Sequence, residues 1–282
     1  KKINSTTLLA AAEDSRNDVL TTAAVLAAVL VEKLSGWQID GIMGTGCFGD
    51  IVPALEQVMN GQECRHFADI NGPVEELPRV LSTPRQYAYL RIAESCDNRC
   101  SFCVIPTLRG KYRSRRMEDI LAEARQLADA GVKELIVIAQ DITKYGMDLP
   151  EHERLLPELL RELCNLDFTW IRLHYLYPDQ ITDELIDVIA DEPKIVKYLD
   201  IPLQHVSKRI LRAMHRPGDG AEFTRLIEDM RERIPGLVLR TSLIVGLPGE
   251  TEDEFAELCE FLQNVGIERV GVFEYSPEEG TE

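Results

Sequence analysis

Beyond residue 84 the chain alternates short apolar runs with amphipathic stretches, the rhythm of βα units that lay parallel strands beneath helices. Six such units can be counted. Their strands are expected at Tyr87 to Ala93, Glu134 to Ala139, Trp170 to Tyr175, Tyr198 to Pro202, Val238 to Val245 and Arg269 to Tyr275. Helices fill the gaps. The first is expected from an N-cap at Ser114 to Gly131, and the fifth opens on a capping box, Thr251 with Glu254 three residues on. The pattern fits an open sheet and a closed barrel equally, and in both the loops after the carboxyl ends of the strands form the site.

The earlier part reads differently. Leu8 to Leu34 is rich in Ala and Leu and predicts one or two helices. Its apolar core, Ala23 to Val31, is interrupted by Glu32 and Lys33, so it is too short to span a bilayer and reads as a buried helix. Asp40 to Gly46 predicts a strand and turn, followed by a helix from Asp50 to Met59 that ends near Gly61. Asn71 to Pro84, with Gly72, Pro73, Pro78 and Pro84, reads as a linker, which divides the chain into 1–84 and 85–282.

At 282 residues and 45% hydrophobic, the sequence has room for one large α/β domain and a smaller piece. A net charge of -17 argues against a broad phosphate-binding surface, so nucleic acid suits it less well than a basic protein partner. Seven cysteines, three of them clustered, do not form a disulfide framework, and no signal peptide precedes them. The expected setting is therefore the reducing cytoplasm, with no membrane association.

The cluster is Cys96-Asp97-Asn98-Arg99-Cys100-Ser101-Phe102-Cys103. Thiolates are soft ligands, and C-x3-C-x2-C lets one loop wrap a face of an iron–sulfur cluster. Three ligands for four irons leave one iron open to a small molecule. The competing readings are a Cys3His zinc site, which no His spacing supports, and thiols that merely pack in a core.

This spacing, with Phe102 before its last Cys, resembles the signature of the radical S-adenosylmethionine (SAM) enzymes. The continuation Val104 to Arg115 resembles the methylthiotransferases within that group. Gln140-Asp141-Ile142-Thr143-Lys144-Tyr145-Gly146 looks like their RimO type, which modifies an aspartate of a small-subunit ribosomal protein; the tRNA-modifying MiaB type usually has Gln-Asn there. The resemblance implies a partial (βα)6 barrel preceded by part of a smaller α/β domain. It further implies a 4Fe-4S cluster on Cys96, Cys100 and Cys103 whose open iron chelates SAM. One electron, from a donor such as flavodoxin or ferredoxin, then cleaves SAM to methionine and a 5'-deoxyadenosyl radical. That radical removes hydrogen from an aspartate β-carbon, sulfur is inserted, and a second SAM supplies the methyl group. The alternatives are a tRNA adenosine as substrate, a different radical SAM reaction, and a non-catalytic zinc-binding module with this fold.

Beyond the cluster ligands no catalytic residue is expected. Phe102, Gln140, Asp141, Gln204, Arg240 and Val245 are the expected SAM contacts. Gln140 and Asp141 end the second strand, where the alternative is a loop hydrogen bond. Gln204 follows the fourth, and its neighbour His205 reads as an oriented structural group. Arg240 needs an anion, either the SAM carboxylate or a strand-end acid such as Asp200 or Asp141. Gly246 to Thr251 lacks the order of a nucleotide phosphate loop and reads as a tight turn into a helix; the resemblance implies that this turn packs against the adenine, with Val245 as a contact.

The basic run Arg109, Lys111, Arg113, Arg115 and Arg116 reads either as a steering or carboxylate-holding patch or as a solvated loop. Phe273 and Tyr275 are expected to fill the barrel interior, and Cys164 and Cys259 to sit in helices as small apolar residues. The family carries a second 4Fe-4S cluster on three N-terminal cysteines. Here its third ligand would fall near Ala23, and Cys47 and Cys64 lie out of register, so both read as non-ligands. The family's C-terminal TRAM domain would follow Glu282, so the chain reads as shortened at both ends.

Overall fold

The computed structural model describes residues 41–76, 80–81, 83–150 and 152–281. The helices expected between Leu8 and Leu34 lie outside the described residues. The chain divides into two compact units, one ending at Asp69 and the other beginning at Ile70.

The first unit is a small βαβ. β1 (Gly41–Met43) pairs in parallel with β2 (Cys64–His66), and α1 (Ile51–Met59) connects them. Cys47 is buried, and its thiol donates to the carbonyls of Gly44 and His66, each at 3.2 Å.

The second unit is built on six parallel strands: β3 (Tyr87–Arg91), β6 (Glu134–Ile138), β7 (Trp170–Leu173), β8 (Ile195–Asp200), β9 (Val238–Val245) and β10 (Arg269–Glu274). They lie side by side in chain order, β3 at one edge and β10 at the other, so this is the partial barrel. All five pairings are parallel. Between β3 and β6 the chain makes β4 (Ala93–Glu94), α2 (Ile105–Arg109), β5 (Arg113–Ser114) and α3 (Met117–Asp129). Next come α4 (Leu156–Cys164), α5 (Asp183–Asp191), α6 (Lys208–Ala213), α7 (Gly220–Arg233) and α8 (Glu252–Val265).

One face of each of the first five barrel strands is apolar and supports these helices. Ala88, Leu90, Leu135, Val137, Ile171, Leu173, Leu199, Leu239 and Leu243 are buried in one cluster with helix residues such as Ile120, Leu159, Ile186, Phe223 and Leu258. Strand alternation then turns polar side chains to the other face. There Arg172 pairs with Glu134 at 2.6 Å and lies over the Tyr198 ring at 5.4 Å, and Arg240 pairs with Asp200 at 2.8 Å. The inward face is thus a ladder of matched charges.

Four expectations change. Ser114 does not cap the first long helix: it pairs with Ala93 across β4 and β5, and its hydroxyl donates to Asp148, so α3 starts at Met117 behind Arg116. The fourth strand begins at Ile195, three residues early, because Lys197 is held in it by carbonyls at the end of α5. Phe273 is 56% exposed and so does not fill the interior, since β10 is an edge strand with one paired side among the described residues. Arg115 is 5% exposed and ion-paired with Glu76 and Glu123, which removes it from any steering patch. The capping box at Thr251 and Glu254 is present. Among the described residues no helix is long and apolar enough to cross a membrane.

Candidate functional site

The cysteine loop follows β4, at the carboxyl end of the first barrel strand. Its conformation is held by side chains rather than by regular secondary structure. The buried Ser95 hydroxyl donates to the Gly110 carbonyl at 2.6 Å, and the Tyr112 N–H donates to Asp97 at 3.0 Å. The Ser101 N–H and hydroxyl donate to the carbonyls of Met214 and Ala213 at 3.1 and 2.8 Å, docking the loop on the end of α6. Ser95, Arg99, Tyr175, Gln204 and His215 all have left-handed backbones, with φ from 48° to 71°. They sit on this loop, on strand ends or at the end of α6. Such conformations persist where the surroundings over-determine them.

Cys96 and Cys100 are each 6% exposed, and Cys103 is half-buried. Burial pushes the Cys96 and Cys103 thiols up. Thiolates there need cationic compensation, which a metal centre supplies. Among the described residues no three His, Cys, Asp or Glu side chains converge closely enough to grip a single ion. The donor set, three soft thiols on one loop, fits an iron–sulfur cluster better than a zinc ion.

Asp141 follows β6, where it caps the short turn Ile142–Lys144, and is fully buried. One of its oxygens accepts from the N–H of Thr143 at 3.0 Å and from that residue's hydroxyl, and the other accepts from the Asn98 amide at 3.1 Å. Burial pushes its carboxyl up, opposed by the bonds from Thr143 and Asn98. Asp141 therefore makes the loop hydrogen bonds that its sequence position left open, and ties the cysteine loop to β6. Beside it the Gln140 Oε1 atom is buried without a partner.

Arg240 takes the strand-end acid, Asp200. Gln204 bridges to Leu243 of β9, and its N–H donates to the Ser242 carbonyl at 2.9 Å. His205 is buried, accepting at Nδ1 from the Ser207 N–H at 3.0 Å and meeting Glu250 through Nε2 at 3.3 Å, as an oriented structural group does. Phe102 packs against buried Ile210, Met214 and Leu247, and Val245 packs on the main core.

In the turn after β9, one Glu250 oxygen accepts from the N–H groups of Gly246 and Leu247, at 2.5 and 3.1 Å. Three others of the basic run have local partners: Arg109 pairs with Glu94, the Arg113 guanidinium donates to the Arg109 and Lys111 carbonyls, and Arg116 lies 3.8 Å from Glu118 at the surface.

Sequence reasoning missed Asn98, Tyr177, His174 and Arg216. Asn98 accepts from the Lys144 ammonium as well as donating to Asp141. Tyr177 lies 4.0 Å from the Cys100 sulfur, and the Arg216 guanidinium lies over its ring at 4.4 Å. His174 keeps a buried, unpartnered Nε2 after β7. Only the placement of Tyr177 and His174 just after a strand signalled them; Arg216 lies in a helix-to-helix connection, which periodicity does not mark.

The comparisons with known proteins come to the same place. The sequence profile of the Radical SAM superfamily matches residues 90–262. A ribosomal protein uS12 methylthiotransferase RimO from Caldanaerobacter subterraneus subsp. tengcongensis is 52% identical over 86% of this chain and 56% of its own length. One from Myxococcus xanthus is 51% identical over 86% of this chain and 51% of its own. The chain thus spans about half the length of the curated relatives it matches. Among solved structures, the radical SAM methyltransferase TsrM from Kitasatospora setae, with tryptophan and a SAM analogue bound, aligns with a TM-score of 0.54 at 19% identity, over 69% of this chain and 39% of that one. That likeness carries the fold alone. With the thiol loop at the head of a six-stranded parallel half-barrel, the chain belongs to the radical SAM superfamily, and within it its sequence is of the RimO methylthiotransferase type.

Proposed function

We propose that this chain is the catalytic core of a methylthiotransferase that acts on an aspartate of ribosomal protein uS12. Cys96, Cys100 and Cys103 would hold a 4Fe-4S cluster, with SAM bound beside it. The observation that carries this reading is the buried C-x3-C-x2-C loop at the carboxyl ends of the strands, in a chain about half of whose residues match RimO proteins. The cluster, when bound, supplies the electron that cleaves SAM; the protein's part is positioning and exclusion of water.

The chain's own groups suit that part. The unpaired Gln140 Oε1 offers an acceptor for an ammonium group. Gln204, in the segment after β8, and Val245, at the end of β9, would flank the nucleoside, and Phe102 would cover the cluster side. Arg240, already matched by Asp200, would orient through that pair rather than bind a carboxylate alone. Neither Gln140 nor Gln204 titrates, so the site needs no proton transfer to hold its cofactor.

The test is anaerobic reconstitution with iron and sulfide counted, followed by reductant-dependent release of 5'-deoxyadenosine, with Cys100→Ala as control. A uS12-derived peptide and a tRNA anticodon stem-loop are then offered separately. Cleavage lost in the control and methylthio transfer to the peptide is the expected result. Zinc without cleavage, or transfer to the RNA, would overturn it.

A further inference from the structure

Arg216 is 6% exposed, and among the described residues its charge has no acidic partner. Among the described residues the guanidinium meets the Pro202 carbonyl at 2.7 Å, the Cys100 sulfur at 3.8 Å and the face of Tyr177 at 4.4 Å, and its Nε is buried without a partner. The buried Arg115 and the half-buried Arg240, by contrast, have carboxylates, Arg115 with Glu76 and Glu123 and Arg240 with Asp200. A guanidinium stays charged at every physiological pH, and leaving it buried and uncompensated is costly. The group beside it, among the described residues, that could balance this charge is the Cys100 sulfur, as a thiolate ligand of a cluster.

The placement is built rather than accidental. The Arg216 N–H donates to the Leu211 carbonyl at 2.8 Å, and the preceding His215 is left-handed at φ 56°. The same turn receives both hydrogen bonds of Ser101, next to Cys100. Tyr177 closes the other side, its hydroxyl 4.0 Å from that sulfur.

We propose that Arg216, braced on Tyr177, is a positioning residue that fixes the Cys100 sulfur and sets the reduction potential of the cluster it would ligate. This rests on the functional reading above. An N–H donor and a fixed positive charge beside a thiolate ligand stabilise the more negative, reduced state, so they raise the potential. The residue touches neither SAM nor substrate in this role, and its effect is read at the metal centre.

The test is an anaerobic redox titration of the reconstituted protein, followed by the EPR signal of the reduced cluster, for the wild type, Arg216→Met, Arg216→Lys and Tyr177→Phe, with iron and sulfide counted in each. Arg216→Met is expected to lower the reduced-to-oxidised ratio at the wild-type midpoint about tenfold, which for one electron is a shift of about 59 mV to more negative potential. Arg216→Lys, which keeps the charge but not the planar fork, is expected to fall between the two. Tyr177→Phe, which keeps the ring face, is expected to stay nearer the wild type. If Arg216→Met cannot be loaded, Arg216→Lys decides. Wild-type potentials in every loaded Arg216 variant would overturn the proposal, whereas a wild-type protein that holds no cluster would instead overturn the functional reading.

Discussion

The Asn98 side-chain amide donates to an Asp141 carboxylate oxygen at 3.1 Å, joining the cysteine loop to the end of β6 across 43 residues of sequence. The Asn98 carbonyl oxygen in turn accepts from Lys144, so one side chain satisfies a buried anion and a cation together. Asn98→Ala strips both of that partner. The expected cost is about 1–3 kcal/mol of unfolding free energy, the penalty for a polar group left unsatisfied in a buried site. Urea denaturation of the cluster-free protein reads the stability. Iron per chain after reconstitution, expected to fall, reads the loop.

Arg115 makes a prediction of a different kind. Replacement by Met leaves Glu76 and Glu123 facing an apolar side chain, although both carboxylates reach solvent in part. A loss of about 2 kcal/mol is expected, below the figure for a fully buried pair, because water screens and partly resolvates the acids. Raised salt should shrink the difference between variant and wild type only slightly, since the guanidinium itself is buried; a difference that vanishes in high salt would show the pair to be a surface one.

His174 links stability to pH. Burial lowers its pKa below the ordinary 6.5, although the Asp200 charge opposes the shift. The unfolded chain therefore binds this proton more readily than the folded one. Its contribution is fully present above pH 6.5 and is lost as pH falls from there through the lowered folded value, at about 1.4 kcal/mol per unit of depression. Urea midpoints at pH 7.5 and 5.5 should separate more for the wild type than for His174→Gln. Equal separations would remove His174 from the acid limb.

Gly110 has φ 76° and ψ -153° at the end of α2, and its carbonyl accepts from Ser95. A Cβ there would lie 2.6 Å from the Asn71 side-chain oxygen and 2.7 Å from the Ile70 carbonyl. Gly110→Ala is expected to cost about 1–3 kcal/mol from backbone strain, with the close approach adding to it. Faster proteolysis of the segment around Asn71 would accompany it.

The parts of the fold legible in the sequence were those set by local pattern. Strands β3, β6, β7, β9 and β10 stand within two residues of their expected ends because apolar alternation bounded by turn residues is a short-range signal. The same holds for Thr251 and Glu254, whose capping box needs only a three-residue spacing. The cysteine loop was legible because C-x3-C-x2-C is chemically rare, not because periodicity marks it.

Pairing across the sequence was not legible. Arg115 looked like one more cation in a basic run, and the acids that claim it lie 39 residues before and 8 after. Arg240 had three candidate anions, the SAM carboxylate, Asp200 and Asp141, until β8 and β9 were set in register, which places Asp200 directly opposite it. Ser114 has the chemistry of a cap, but β4 reaches it first. Phe273 follows the inward alternation of its strand, yet an edge position leaves it exposed, which no local pattern encodes.

The turn after β9 has already consumed its own backbone donors. Glu250 brings a carboxylate to the two N–H groups that an anion would otherwise seek. A phosphate approaching this corner meets negative charge where a phosphate loop would present bare donors. A corner built this way offers a phosphate no bare backbone donor at these two positions, and any ligand placed here would be held by other groups.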